Sequence, residues 1–234
     1  MASSTPPPSA RDQLVAAAEE LYAARGIDGV SLREINAAAG ARNASALQYH
    51  FGDRAGLLRA VLAKHRAGVE ERRHALLDEI EAGGGAHLRA LAAALVLPLA
   101  AELEEPGGPG YLQVLSDLAN RPRPAIDPVA LEDPTDSIYR WRAAVEPLLS
   151  PEAVVLHRRV VAIRFTPAEL IETARDRRGT GDEVFVNDLV DLVSGLLSAP
   201  VSAQTTGAAD ARRRARGGSG VSSGGTAPGA PAPA

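Results

Sequence analysis

Residues 31–58 read SLREINAAAGARNASALQYHFGDRAGLL, and their pattern predicts two short helices that end at glycines. Ser31 is followed three residues later by Glu34, which is the pattern of a capping box. In such a box the two side chains satisfy free backbone N–H groups at the start of a helix. The pattern therefore predicts a helix that begins after Ser31 and stops at Gly40, because glycine commonly ends helices.

A second, shorter helix is predicted from about Asn43, a favourable N-cap residue, to Gly52. Aromatic residues make up only 3% of the chain, yet this segment contains Tyr49 and Phe51. A helix of this length is not stable alone in water, so Leu47 and Phe51 are expected to pack against neighbouring helices. The polar or amphipathic side chains left facing outward are Arg42, Asn43, Ser45, Gln48, Tyr49 and His50.

Helical periodicity also flanks this stretch on both sides. Asp12–Arg25 has apolar residues on one face, and a long helix is predicted from Arg54 to Ala82, before three glycines. Two helices joined by a glycine-containing turn form a helix-turn-helix unit, whose second helix enters the major groove of DNA. The chain has a net charge of −4, but Ser31–Arg66 has six basic and two acidic residues, which favours phosphate binding.

Residues 10–66 resemble the DNA-binding region of the tetracycline-repressor (TetR) family. The resemblance lies in the Ser-x-x-x-Ile-x-x-x-Ala-Gly pattern that starts at Ser31 and in the aromatic end of the following short helix. It implies an all-α fold, with an amino-terminal helix-turn-helix domain and a carboxyl-terminal helical bundle for ligand binding and dimerisation. It also implies double-stranded operator DNA and a small-molecule effector as partners.

The resemblance assigns roles to the outward side chains. Tyr49 and His50 are expected to contact backbone phosphates, and Ser31 and Arg54 to anchor neighbouring phosphates. The residues expected to face base edges are Ser45 and Gln48, with Arg42 and Asn43 beside them.

Three departures from the family pattern accompany these roles. Gln48 and His50 stand where the family often has tyrosines, and Arg54 replaces the usual lysine. The turn from Gly40 is one residue longer than usual, with Arg42 as the extra residue. This leaves open whether Arg42 faces a base, a phosphate or solvent.

The remaining chain is also predicted to be helical, without strands or internal repeats. Pro98 is expected to kink one helix, and Pro106–Pro109 to separate it from the next. Pro151–Arg178 fits either one kinked helix or two. The predicted organisation is a disordered start (1–9), a DNA-binding domain (10–66), a ligand-binding and dimerisation domain (67–200) and a disordered tail (201–234).

The last predicted helix, Asp182–Ala199, is apolar on more than one face. A helix of this kind is buried, and a chain of this size has few elements left to cover it. We therefore expect a homodimer in which this helix and Pro151–Arg178 pair with their symmetry mates, as the resemblance also implies. The expected interface residues are Val186, Leu189, Val193, Leu196 and Leu197.

The helices between Ala86 and Leu149 are rich in apolar residues and interrupted by prolines. Kinked helices pack less tightly along their length, which favours a cavity for a mostly apolar effector. Trp141 lies on an apolar helix face, so a core position is an alternative to a ligand contact for this residue. For the region as a whole, the alternative to a cavity is a solid core without a ligand. The expected lining residues are Leu95, Leu99, Tyr111, Leu115 and Trp141.

The composition argues against several other classes of protein. The chain has no cysteine, no recognisable signal peptide and no apolar run long enough to cross a bilayer, so a cytoplasmic protein without membrane association is expected. Glu70 and His74 are one helical turn apart but lack further ligands, and no catalytic motif is present, so neither metal, cofactor nor enzymatic activity is predicted. Two hypotheses remain, a ligand-responsive repressor and a helical dimeric module that acts through protein partners without operator binding.

Overall fold

A computed structural model of the chain describes residues 8–41, 45–121, 135–175 and 183–218. The described residues form helices and no strand, so the predicted all-α fold is confirmed. No single helix among them is long and apolar enough to span a membrane.

Four helices form the amino-terminal part of the chain. They are α1 (Ala10–Arg25), α2 (Leu32–Ala38), α3 (Ala46–Phe51) and α4 (Arg54–Ala82). Ser9 caps α1 by accepting a hydrogen bond from the N–H of Asp12 at 3.2 Å. Helix α3 begins at Ala46, with Ser45 as its N-cap residue, which is later than the start predicted near Asn43.

Six further helices follow in the described residues up to Ser198. They are α5 (Leu88–Ala100), α6 (Gly108–Ala119), α7 (Ser137–Val145), α8 (Pro151–Val155), α9 (Arg158–Arg175) and α10 (Glu183–Ser198). Pro98 lies inside α5, which tightens into a 3-10 turn at Ala101–Glu104. A second 3-10 turn, Glu146–Leu148, follows α7.

The segment after Pro151 consists of two helices rather than one kinked helix. The break lies at Leu156 and His157, between α8 and α9. His157 has a φ of 55°, a left-handed conformation that interrupts the helical path. Pro167 lies inside α9 and does not end it.

The buried apolar residues of these helices form two clusters that share α4. The first joins α1, α2 and α3 to the first turns of α4, and we call this part the amino-terminal unit. The second joins the later turns of α4 to α5, α6, α7, α8, α9 and α10, and we call it the bundle. Val114 of α6 lies in the first cluster, so α6 contributes to both.

The segment from Ala199 is a separate compact unit. The sequence predicts disorder from Val201, whereas the structure has an eleventh helix, α11 (Ala203–Gly218). Ser202 caps this helix by accepting a hydrogen bond from the N–H of Thr205 at 3.3 Å. Alanine and arginine are strong helix formers, which explains a helix in a segment too polar to form a core. Residues 219–234 lie outside the described residues.

Candidate nucleic-acid interface and internal cavity

The capping box predicted at the start of α2 is present. The Ser31 hydroxyl accepts a hydrogen bond from the N–H of Glu34 at 3.2 Å, and the Glu34 carboxylate accepts one from the Ser31 N–H at 2.8 Å. Hydrogen bonds from the Ser31 hydroxyl, the Ser31 N–H and Arg25 lower the pKa of Glu34 to about 2. The box therefore keeps its charge across physiological pH and fixes where α2 begins. A phosphate contact by Ser31 stays a prediction.

The turn between α1 and α2 is held by Arg54, the first residue of α4. Its two terminal guanidinium nitrogens donate hydrogen bonds to the carbonyls of Ile27 and Val30, at 2.5 and 2.7 Å. The phosphate contact that the resemblance implies for Arg54 stays a prediction; within the protein, each of its terminal nitrogens has a carbonyl partner. Arg54 thus positions the helix-turn-helix from inside the protein.

Helix α3 has one apolar side and one polar side, as its pattern predicts. Leu47 is 2% exposed and packs in the apolar cluster of the amino-terminal unit, with Phe51 at its edge. On the opposite side, Ser45 and Gln48 are exposed, and Tyr49 is 85% exposed. A single exposed apolar side chain is normal on a protein surface, so Tyr49 is informative only together with the hydrogen-bonding residues beside it.

The end of α3 is arranged around the same aromatic residues. His50 is half-buried, and its ring lies 5.1 Å from that of Tyr49 in an edge-on geometry. Gly52 has a φ of 74°, a conformation that favours glycine, and it ends α3. Asp53 then caps α4 by accepting a hydrogen bond from the N–H of Gly56 at 2.7 Å. The predicted base-edge residues Arg42 and Asn43 lie outside the described residues.

A cavity of about 270 Å³ lies inside the bundle. Leu95, Leu99, Tyr111 and Leu115, four of the five residues predicted from the sequence, line it. The fifth, Trp141, does not, because it is fully buried in the core and donates a hydrogen bond to the Leu91 carbonyl at 2.6 Å. The other lining residues are Leu62, Arg66, Val69, Glu70, Arg73, Ala119, Asp136, Ile138 and Ile163.

Four charged residues in this wall were missed by the sequence prediction. Arg66, Glu70 and Arg73 of α4 follow one another at spacings of four and three, so they share one helix face. Asp136, the N-cap residue of α7, is the fourth, and its carboxylate accepts a hydrogen bond from Arg66 at 3.0 Å. The spacing on α4 was a usable signal, because the same face carries the apolar lining residue Val69.

A buried polar network lies between the cavity and α1. Both ring nitrogens of His65 face carboxylates: Nδ1 lies 2.5 Å from Glu102 and Nε2 lies 3.0 Å from Glu19. Lys64 and Arg72 bind the same two carboxylates, Lys64 that of Glu19 and Arg72 that of Glu102. We call these five residues the His65 network.

The His65 network is charged and adjoins the cavity. Burial disfavours a charged imidazole, but hydrogen bonds with Glu19 and Glu102 outweigh burial and raise the pKa of His65. The ring of Tyr111, in the cavity wall, stacks on the His65 ring with centroids 4.9 Å apart. The network therefore links a lining residue of the cavity to Glu19 of α1 in the amino-terminal unit.

The residues predicted for the dimer interface fall into two groups. Leu189, Val193 and Leu197 are no more than 1% exposed and pack inside the bundle of their own chain, so they are core residues. Val186 and Leu196 are half-buried. The solvent-facing side of α10 instead carries two large apolar residues, Val184 and Leu192. An apolar pattern all round α10 did not distinguish burial within the chain from burial by a partner.

Comparison with known proteins bears on the amino-terminal unit. Residues 14–61 match the family model described as bacterial regulatory proteins, tetR family. No curated protein matches the chain at a significant level. The matched residues extend from α1 through the helix-turn-helix to the start of α4. The amino-terminal unit is therefore similar to the DNA-binding domain of this family, which supports a DNA-binding transcriptional regulator.

Proposed function

We propose that the chain is a repressor that binds a near-palindromic operator as a homodimer and leaves it when a small effector occupies the bundle cavity. The observation that carries this proposal is the polar side of α3, where Gln48 and Tyr49 face solvent while Leu47 fixes the helix from below. A rigid short helix with hydrogen-bonding side chains outward is the form that reads base edges in a major groove.

The proposed DNA contacts divide by chemistry. By resemblance to the family, Ser45 and Gln48 are assigned to base edges, and Tyr49 and His50 to phosphates; Ser45, Gln48 and Tyr49 are exposed in α3 or at its start. Phosphate contacts by Ser31 and Arg54, and base contacts by Arg42 and Asn43, belong to the same proposal. Arg54 acts mainly by holding the turn, since its terminal nitrogens already bind Ile27 and Val30.

The proposed dimer uses α9 and α10. TetR regulators are typically homodimers, and both helices expose large apolar side chains: Val160 and Val161 are 40% and 45% exposed, and Leu192 is 50% exposed. Pairing these helices with their symmetry mates would bury that surface in a four-helix interface. A two-fold axis would also present two copies of α3 to successive major grooves, which is why the operator is expected to be a near-palindrome.

A matched pair of variants tests this interface. Leu192→Asp places a charge on the exposed side of α10 and is expected to give folded monomers. Val193→Asp places it in the core, where the side chain is 0% exposed, and is expected to unfold the chain. The measurements are light-scattering mass and circular dichroism. A folded dimer for Leu192→Asp, or a mass of one chain for the unmutated protein, would contradict the proposal.

The cavity is proposed to control the amino-terminal unit through α6 and the His65 network. Helix α6 contributes Tyr111 and Leu115 to the cavity and packs against α1. The packing is close, since a Cβ on Gly110 would lie 2.2 Å from the Glu19 carbonyl oxygen. An effector releases DNA only if it prefers the conformation in which the two copies of α3 are wrongly spaced.

The test of repressor function is a gel shift of the full chain on the DNA upstream of its own gene. We expect a shifted complex. Gln48→Ala is expected to remove about 1–3 kcal/mol of binding free energy that discriminates between bases at one operator position. A thermal-shift screen then supplies compounds that stabilise the protein, and these are tested for release of the DNA. Absence of binding to upstream DNA would favour a module that acts through protein partners. Stabilising compounds that never release the DNA would refute the effector model alone.

A further inference from the structure

The polar side of the cavity contains a buried guanidinium with an incomplete set of partners. Arg73 is 4% exposed; its Nε donates to the Ala94 carbonyl at 3.2 Å and its Nη1 to the Ser137 hydroxyl at 2.8 Å. Both acceptors are neutral. Within the described residues, Nη2 has no hydrogen-bond partner and Arg73 forms no salt bridge. A buried charge without an ionic partner is costly, so an anion beside Nη2 would be strongly stabilised.

The two carboxylates of the cavity wall are engaged elsewhere. Glu70 accepts a hydrogen bond from the N–H of Ser137 at 2.7 Å. Asp136 accepts one from the N–H of Ile138 at 2.8 Å and one from Arg66 at 3.0 Å. Their charges act on Arg73 from a distance, while burial of the guanidinium lowers the pKa of Arg73. Neither carboxylate fills the position beside Nη2.

Tyr111 supplies a second unused donor to the same cavity. Its side chain is 5% exposed, and its hydroxyl has no hydrogen-bond partner in the described part of the chain. Burial raises the pKa of Tyr111 to about 12, so the hydroxyl stays protonated at neutral pH and can donate a hydrogen bond to an anion. Tyr111 and Arg73 are close enough to interact electrostatically. The Nη2 of Arg73 and the Tyr111 hydroxyl are thus two donors without partners on the polar side of the cavity.

We propose that the effector is a small monocarboxylic acid with an apolar body, whose carboxylate accepts hydrogen bonds from Arg73 Nη2 and the Tyr111 hydroxyl. This inference rests on the proposed function and specifies the chemistry of its effector. The apolar body packs against side chains such as Leu95, Leu99 and Ile163. A cavity of about 270 Å³ is slightly below the range typical of drug-sized ligands, which limits the acid to a short chain or a single ring.

The same two contacts place the acid beside the route to α1. The Tyr111 ring that carries this hydroxyl stacks on the ring of His65. Displacement of that ring changes the contact on His65, which binds Glu19 of α1. Binding energy from the acid is in this way available to shift the amino-terminal unit.

The experiment measures binding of three matched probes to the full chain by isothermal titration calorimetry. Octanoate, octanamide and octan-1-ol share an apolar chain and differ in the head group, and butanoate to decanoate test the length. We expect octanoate to bind at least about tenfold more tightly than octanamide or octanol, because charge-assisted hydrogen bonds are about twice as strong as neutral ones. Arg73→Gln is expected to abolish this preference. Arg89→Gln, an exposed arginine of α5, is the matched control and should preserve it.

A second variant, Tyr111→Phe, tests the same contact if Arg73→Gln does not fold. Arg73→Gln removes a buried hydrogen-bonding group, so its fold is checked by circular dichroism. Tyr111→Phe removes only the hydroxyl. It is expected to weaken the binding of octanoate by about three- to tenfold and to leave the binding of octan-1-ol unchanged. Equal binding of the three probes, a preference for the amide or alcohol, or no binding by any acid from butanoate to decanoate would overturn the inference. Release of upstream DNA by a compound that is not an acid would overturn it while leaving the repressor proposal standing, whereas failure to bind that DNA would defeat the repressor proposal itself.

Discussion

The two halves of α4 bury different kinds of group. Near its start, Leu57, Leu58 and Val61 are at most 1% exposed and join the apolar cluster of the amino-terminal unit. Further along, His65 and Arg73 are 7% and 4% exposed, and their partners come from other helices. An apolar core holds α3 in place through contacts that do not depend on protonation or on a ligand. A buried charged region depends on protonation and ligands, so it is the part of the chain suited to sensing.

The largest effect is expected from His65→Leu. This change leaves two buried carboxylates, Glu19 and Glu102, without the group between them. Removal of one partner from a buried ionic network costs about 3–5 kcal/mol. Denaturant unfolding measures the loss in the free energy of unfolding. A loss below about 1 kcal/mol would mean that the His65 network does not hold the amino-terminal unit and the bundle together.

The matched change in the apolar half is Leu57→Ala, at a position that is 0% exposed. The expected loss is about 2–4 kcal/mol from lost transfer free energy and the cavity left behind. Because no titratable group is involved, the loss should be the same at every pH between 5 and 9. A pH-dependent loss would remove the contrast between the two halves of α4.

Arg54→Ala is expected to cost about 2 kcal/mol of stability, since two charge-assisted hydrogen bonds to the turn carbonyls are lost from a partly buried site. It should also weaken binding to all DNA sequences alike, because the turn positions the whole helix-turn-helix. Arg59→Ala, an exposed position on the same helix, is the control for stability. Anisotropy with upstream and random DNA tests the second effect, and a change in base preference would argue against a positioning role.

A smaller effect is expected from pH. The pKa of His65 is raised above its ordinary value of 6.5, so its contribution to stability is complete below pH 6.5 and is lost as pH rises through the folded pKa. The unmutated protein should therefore lose stability relative to His65→Leu over that range. Thermal unfolding of both proteins from pH 5.5 to 9 measures the difference. A difference that stays constant or grows with pH would contradict this sign.

The contrast between the halves of α4 also explains what the sequence revealed. Local signals were sufficient for the capping box at Ser31 and Glu34 and for the bounds of α4. The partners of His65 were out of reach, because Glu19 and Glu102 lie 46 and 37 residues away along the chain. No local pattern records a contact of that separation.

Two other outcomes depended on geometry rather than on pattern. Four cavity residues could be named from broken apolar helices, but Trp141 shares that composition and lies in the solid core. For α10, composition predicted burial of both faces. Only the packing showed that Val193 is covered by its own chain and Leu192 is not.

We propose that α3 and its neighbours form a specific, phosphate-dependent DNA interface. The most direct measurement is the affinity of the full chain for its upstream DNA and for random DNA of equal length, followed as salt rises from 50 to 200 mM. We expect tighter binding to the upstream DNA and a steep fall of both affinities with salt, because released counterions drive phosphate binding. Equal affinity for the two DNAs, or binding that does not change with salt, would contradict it.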